Sequence, residues 1–311
     1  MNWNVRLVAD GLAFPEGPVA MPDGSVIVTE MRSGKLTRVK PDGSLQVIAS
    51  VEGVPNGAAI GPDGRCYIAN NGGMNWHDLA GVGRVPTHGV PDGYTGAWVE
   101  RVDLLNGKVE RVCEGIDGRR FRGLNDLCFD SQGGLWVTDY GKTVGRDTDV
   151  GAVYYIEPGF GAVREGMYPA IRPNGVGLSP DERTLYVAET LTTRLWSFDL
   201  SAPGTIERQP WPSPNGGRVL GGVVGYRSFD SLAVDEAGHI WVANLFFDPG
   251  VLEFAPTGEV VSHVPIDEPY VTNVCFGGPE LRTGYVTCAS KGLLLAFDAP
   301  RPGLPSPFEP A

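Results

Sequence analysis

Six oxygen-bearing side chains stand at one register of a pattern that recurs along this chain: Glu16, Asn56, Asn125, Asn174, Asp230 and Asn273. Carboxylate and amide oxygens, with neither sulfur nor imidazole among them, suit a hard divalent cation. Ca2+ is the leading expectation, with Mg2+, Mn2+ or Zn2+ as alternatives. The four histidines and five cysteines show no Cys–His spacing that would build a zinc site. In equivalent positions of a closed array, the six side chains point at one another around a central axis. Burying polar groups together is costly unless something satisfies them, and one cation does so at once. A plainer role exists for Asn56, in Val54-Pro55-Asn56-Gly57, and for Asn273, because Asn beside a turn also caps it. Glu16, in Phe14-Pro15-Glu16-Gly17-Pro18, is a poor turn former. Asp230 sits beside Phe229 and Leu232 to Val234, where a lone carboxylate is unfavourable.

The elements that must carry these residues are short strands. β-branched and aromatic runs follow each polar residue: Val26 to Glu30, Tyr67 to Asn70, Leu135 to Asp139, Leu185 to Glu189, Ile240 to Asn244 and Tyr285 to Cys288. Most are preceded by turns such as Pro22-Asp23-Gly24 or Pro62-Asp63-Gly64, where Asp-Gly supplies the positive φ of a tight hairpin. Glu16 to Glu30, Asn56 to Asn70, Asn125 to Asp139 and Asp230 to Asn244 are each 14 positions apart. Third runs follow at Leu36 to Lys40, Trp98 to Asp103, Val153 to Glu157, Arg194 to Asp199, Val251 to Ala255 and Leu293 to Asp298. Weaker fourth runs lie at Leu45 to Ala49, Val109 to Cys113 and Val260 to Val264.

Four strands per unit, repeating at roughly 40 to 55 residues, predict an all-β, six-bladed β-propeller. A β-sandwich has short strands too, but no reason to repeat a polar residue at one register. No stretch has sustained helical periodicity. Val5 to Ala9 is expected to close the ring as the missing strand of the last blade, and residues 1–311 read as one domain.

The formal charge of -12 argues against nucleic acid and anionic membranes as partners and suits a small-molecule substrate. Oligomeric state is not expressed in the pattern. Cys66, Cys128, Cys275 and Cys288 lie in or next to strands, as small core residues of a reducing compartment. The chain enters a strand without a basic, apolar leader, and no run approaches membrane-spanning length. A cytoplasmic enzyme is the expectation.

Phe14-Pro15-Glu16-Gly17-Pro18, Leu124-Asn125-Asp126, Pro173-Asn174-Gly175 and Phe229-Asp230-Ser231-Leu232-Ala233, followed by Asp235 and Gly238, resemble the SMP-30/gluconolactonase/LRE-like family from Glu16 to about Asp298. The resemblance implies a six-bladed propeller with a divalent metal in its central channel and hydrolysis of sugar lactones or related esters; related diisopropylfluorophosphatases cleave P–F bonds. It implies Glu16, Asn174 and Asp230 as metal ligands, and Asn125 as a fourth ligand or a substrate contact. One position departs from the family pattern. The arginine that sugar lactonases often place two residues before Asn125 is Gly123 here, with Arg122 beside it.

Loops between second and third strands open on the face of the six residues. The longest, Asn71 to Ala97, hangs over the mouth by topology and is expected to be a lid, or else a subunit contact, carrying Trp76, His77, His88 and Tyr94. Met31, Tyr140, Thr190, Leu245, Phe246, Phe247 and Lys291 lie on other rim loops, and Pro210 to Arg227 reads as a second long connection. The substrate-contact candidates are Asn125, Asn56, Asn273, His77, Tyr140 and Phe246.

The expected reaction is metal-assisted opening of a lactone, with Asp230 as catalytic general base. Hydroxide held by the cation, or attack by Asp230 itself, are the other routes. Phosphotriester or P–F hydrolysis on the same site, and a non-catalytic metal-containing propeller that binds a ligand, are the alternative functions.

Overall fold

Second-strand runs of β-branched and aromatic residues, apolar on both faces, need cover on both faces. Stacking the sheets around an axis provides it. The computed structural model describes residues 3–87, 89–308 and 310. Its main sheets are six in number and form a six-bladed β-propeller. Blade 1 consists of Pro15–Ala20, Val26–Glu30, Lys35–Val39 and Leu45–Ser50, from the axis outwards. Blade 2 has Pro55–Ile60 innermost, then Cys66–Asn70, Trp98–Val102 and Val109–Cys113. Blade 3 has Leu124–Phe129, Leu135–Asp139, Gly151–Ile156 and Val163–Ala170. Blade 5 has Ser228–Val234, Ile240–Leu245, Gly250–Phe254 and Val260–Pro265. Every residue of Val26–Glu30, Cys66–Asn70 and Leu135–Asp139 is buried, whereas the outer strand Leu45–Ser50 is mostly exposed.

Blade 6 joins the two ends of the chain. Its strands are Val271–Gly277, Thr283–Cys288 and Leu293–Asp298, completed by Arg6–Ala9. Arg6 pairs with Ala296 and Leu7 with Leu295. The Arg6 guanidinium reaches Asp298 at 2.7 Å, and Trp3 packs edge-on against Trp241 of blade 5 and Phe297 of blade 6. The expected closure by the N-terminal strand is what the structure has.

Two connections differ from the expectation. Pro210 to Arg227 is not simply a rim loop. In blade 4, formed by Pro173–Leu178, Thr184–Glu189 and the nine-residue Arg194–Ala202, the outer position is split. Thr205–Glu207 pairs with one half of the long strand and Arg218–Gly222 with the other. A strand of that length would otherwise leave half of its outward N–H and C=O groups unpaired. Asn71 to Ala97 contains a hairpin, Asn75–Leu79 against Gly83–Thr87. Among the described residues no helix is long and apolar enough to cross a membrane.

Candidate active site

Each inner strand has a register shift at or beside its polar residue. Pro55 pairs with Asn70 and Ala58 with Ile68, so Asn56 and Gly57 together oppose one residue. The same two-against-one arrangement takes in Asn125–Asp126, Asn174–Gly175 and Asp230–Ser231. In blade 1 it falls just after Glu16, and in blade 6 just before Asn273. A bulge bends the strand and re-aims its side chains. All six residues of the column are buried.

A second column, at the ends of the second strands, holds the entry to the first. Asp139 accepts hydrogen bonds from the backbone N–H groups of Arg122 and Gly123, both at 2.7 Å, and of Gly141 at 3.0 Å. Glu189 accepts from Ile171 N–H at 2.7 Å, Glu30 from Ala13 N–H at 2.8 Å, and Asn70 from Val54 N–H at 3.0 Å. Apart from Gly141, each donor lies two or three residues before the polar residue of its inner strand. In blades 1, 2 and 3 the 14-residue spacing therefore joins a column residue to one that fixes the backbone leading to it, and Glu189 does the same for Asn174. Hydroxyls bind neighbouring blades to each other, Thr29 to Asn56 C=O at 2.7 Å and Thr138 to Asn174 C=O at 2.8 Å.

The column is electrostatically strained. Burial pushes the Glu16 carboxyl above its ordinary range, against hydrogen bonds from Asn273 and Gly17. Burial also raises Asp230, and the nearby charge of Glu16 raises it further. A third carboxyl, Asp126, is pushed up to about 8 by burial and then by Glu16. Asn273 Nδ2 and Gly17 N–H both donate to Glu16 Oε2 at 2.8 Å. Asn174 Nδ2 donates to Thr190 Oγ1 at 3.1 Å, and its Oδ1 has the Ser231 hydroxyl at 3.3 Å. Asn125 Oδ1 and Asn56 Oδ1 are buried with no hydrogen-bond partner among the described residues. Orphaned amide oxygens beside buried carboxylates are what a hard cation would satisfy, so this donor set fits a divalent metal.

These residues floor a cavity of about 710 Å³, which Glu16, Asn56, Asn125, Asn174 and Asp230 all line. His77, Tyr140 and Phe246 line it too. Asn273 is engaged with Glu16, so its place is behind a ligand candidate and not in a turn. The hairpin of blade 2 forms one wall: Trp76 packs edge-on on Phe14 at 5.1 Å, and Val85 is buried in the same apolar cluster. His88 lies outside the described residues. Arg122 turns away to an ion pair with Asp149 at 2.9 Å, and Phe247 packs on Tyr226.

Sequence reasoning missed three charged residues. Asp126 stood in a recognised motif but was overshadowed by Asn125; only the bulge explains why two successive residues are both buried near the axis. Lys142 and Arg172 line the cavity and are 7% and 6% exposed. Lys142 Nζ donates to Asn71 Oδ1 and to Gly73 C=O, the latter at 2.7 Å. Burial lowers its ammonium to about 7. Arg172 donates to Tyr140 C=O at 2.9 Å and to the Thr143 hydroxyl. The available signal was position: Lys142 follows a second strand and Arg172 precedes Pro173-Asn174.

A second group with metal-ligand chemistry, Asp235, His239 and Glu253, begins at the far end of the strand that carries Asp230. The Arg301 guanidinium already contacts both carboxylates, Asp235 at 2.9 Å. Trp241 and two backbone N–H groups complete the Asp235 shell. This group fastens residues near the C-terminus to blade 5.

A family model described as SMP-30/Gluconolactonase/LRE-like region matches residues 14–290. The chain is 24% identical over 303 residues to a gluconolactonase of Zymomonas mobilis, covering 88% of this chain and 76% of that protein. It is 27% identical over 266 residues to lactonase drp35 of Staphylococcus haemolyticus, covering 84% and 71%. Among solved structures it is similar to a gluconolactonase from Xanthomonas campestris, with TM-score 0.75 and 20% identity over 95% of this chain and 89% of that one. Regucalcin from Agrobacterium tumefaciens, a calcium-binding protein, has TM-score 0.75 and 20% identity over 99% and 97%. At these identities the structural likenesses speak for the fold.

Proposed function

This chain belongs to the SMP-30/gluconolactonase/LRE-like family, and from that premise we propose that it is a divalent-metal-dependent hydrolase that opens the ring of a lactone. The observation that carries this reading is the meeting of four buried oxygen donors, Glu16, Asn125, Asn174 and Asp230, in one cavity of about 710 Å³. Relatives named gluconolactonase and lactonase support the reaction class. The calcium-binding neighbour favours Ca2+.

Glu16, Asn125, Asn174 and Asp230 would hold the cation. When bound, a divalent cation draws electron density from a carbonyl oxygen and stabilises the negative charge that builds there under attack. The remaining work belongs to side chains of this chain. Glu16 is held by Asn273 and Gly17 and serves as an anchor. Asp230 takes the proton from the attacking water and returns it to the ring oxygen as the acyl C–O bond breaks. The product is a hydroxy acid. Phe14 and Phe246, each packed edge-on against Tyr270, form with it an apolar wall that limits water at the reacting carbon.

The test is a pH-indicator assay over a panel of lactones and phosphotriesters, with chelator and with added Ca2+, Mn2+ or Zn2+. Metal-dependent acid release from lactones is the expected result. Full lactone hydrolysis by chelator-treated protein, or none with metal demonstrably bound, would overturn the reading.

A further inference from the structure

The walls of the cavity differ in charge from its floor. The floor holds Glu16 and Asp230, with Asp126 close enough to raise Asp230. One side wall holds Lys142 and Arg172, near enough to each other that Arg172 opposes the charged form of Lys142. Both are buried, and among the described residues neither forms an ion pair with a carboxylate. Their hydrogen-bond partners are an amide oxygen, a hydroxyl and backbone carbonyls, all uncharged, while Asp139 and Asp149 act on Lys142 only through space. Arg172 also stacks over the Tyr140 ring at 4.8 Å.

The surroundings are arranged to keep this pair in place. A Cβ at Gly123 would lie 3.3 Å from Lys142 Cε and 2.9 Å from Gly141 C=O, so glycine leaves the lane that the lysine stem occupies. Arg172 holds φ +55°, a left-handed backbone conformation that strains a non-glycine residue. Unpaired buried cations destabilise a protein unless a ligand compensates them. With its donors already oriented, the guanidinium suits a carboxylate, which it can meet with paired N–H groups.

We propose that Lys142 and Arg172 form an anion subsite, so that the substrate is an acidic lactone whose ring carries an ionised carboxylate and whose hydrolysis yields a hydroxy-dicarboxylate. This inference rests on the lactone-hydrolase reading above. Water adds across the acyl C–O bond, one new carboxylate and one hydroxyl form, one proton is released at neutral pH, and the ring carboxylate is unchanged. The subsite sets which lactone is accepted, and the groups on the floor set what is done to it.

The experiment compares three five-membered lactones with the calcium-loaded protein: γ-butyrolactone carrying a carboxylate on the carbon next to the ring oxygen, the same compound as its neutral amide, and a phosphate-bearing analogue. The carboxylate is expected to exceed the amide at least tenfold in kcat/KM, mostly through KM. Lys142→Met and Arg172→Gln should each bring that ratio towards one, and Lys142→Arg should retain it. Melting curves identify any variant that has merely lost its fold. A carboxylate-to-amide ratio near one in the wild type, or a ratio unchanged in both neutral variants, overturns the inference and leaves the lactonase reading standing. A phosphate preference above the carboxylate overturns the choice of carboxylate. If no lactone is hydrolysed, calorimetry with 2-hydroxyglutarate and its mono-amide decides. Tighter dicarboxylate binding that Lys142→Met abolishes sustains the subsite without the lactonase, and equal or absent binding of the two overturns it.

Discussion

Asn273 donates from Nδ2 to Glu16 Oε2 at 2.8 Å, a bond between the last blade and the first across 257 positions of sequence. It fixes the carboxylate of blade 1 from a strand that exists in place only once the ring has closed. Partners of this kind, one step behind a proposed ligand, commonly change metal affinity by 10- to 100-fold.

Asn273→Ala is therefore expected to weaken calcium binding by roughly tenfold or more, read by titration calorimetry. Unchanged affinity would show that Gly17 N–H alone is enough to hold Glu16.

The buried carboxyls set a pH dependence for the metal-free protein. Glu16, Asp126 and Asp230 all have folded pKa values above their ordinary range, so the folded state binds more protons than the unfolded one in between. Stability must then fall as pH rises from about 4 through about 8, where Asp126 ionises. For Asp126, raised from 3.8 to about 8, the effect is on the order of 5 kcal/mol. Melting in chelator should drop across that range, while added calcium should stabilise far more at pH 8 than at pH 5. A flat or rising chelator curve would refute the assignment. Asp126→Asn should raise the chelator melting point at pH 8.

In the proposed mechanism Asp230 and Glu16 separate by role. Asp230→Asn removes the proton acceptor, with an expected loss of 10²- to 10⁴-fold in kcat. Glu16→Gln should act mainly on calcium affinity, so excess calcium restores part of its activity. Equal losses in both that calcium does not relieve would merge the two roles.

Asp139 tests the second column. Asp139→Ala removes three backbone hydrogen bonds, two of them at 2.7 Å to the segment that enters the strand of Asn125 and the third to Gly141. Leaving those N–H groups buried and unpaired costs about 1–3 kcal/mol each at most. A clear fall in melting temperature together with weaker calcium binding is expected. A fall in melting temperature alone would limit Asp139 to a structural role.

Much of this was legible along the chain because it is local. Asp-Gly turns and β-branched runs each depend on a few adjacent residues, and their repetition exposed the register on which Glu16, Asn56, Asn125, Asn174, Asp230 and Asn273 all fall. The spacing of 14 was visible too, but not that Asp139 and Asn70 use it to grip the backbone ahead of Asn125 and Asn56. The strand Arg218–Gly222 escaped notice because its hydrogen-bond partner is the unusually long Arg194–Ala202, and pairing is not written in either segment alone. Sequence determined which residues repeat, since periodicity is a property of neighbours. Tertiary structure alone decided that Asp126 joins the carboxylates and that Lys142 and Arg172 share a wall of the same cavity. Those facts depend on where a bulge turns a side chain and on how blades distant in sequence close around one axis.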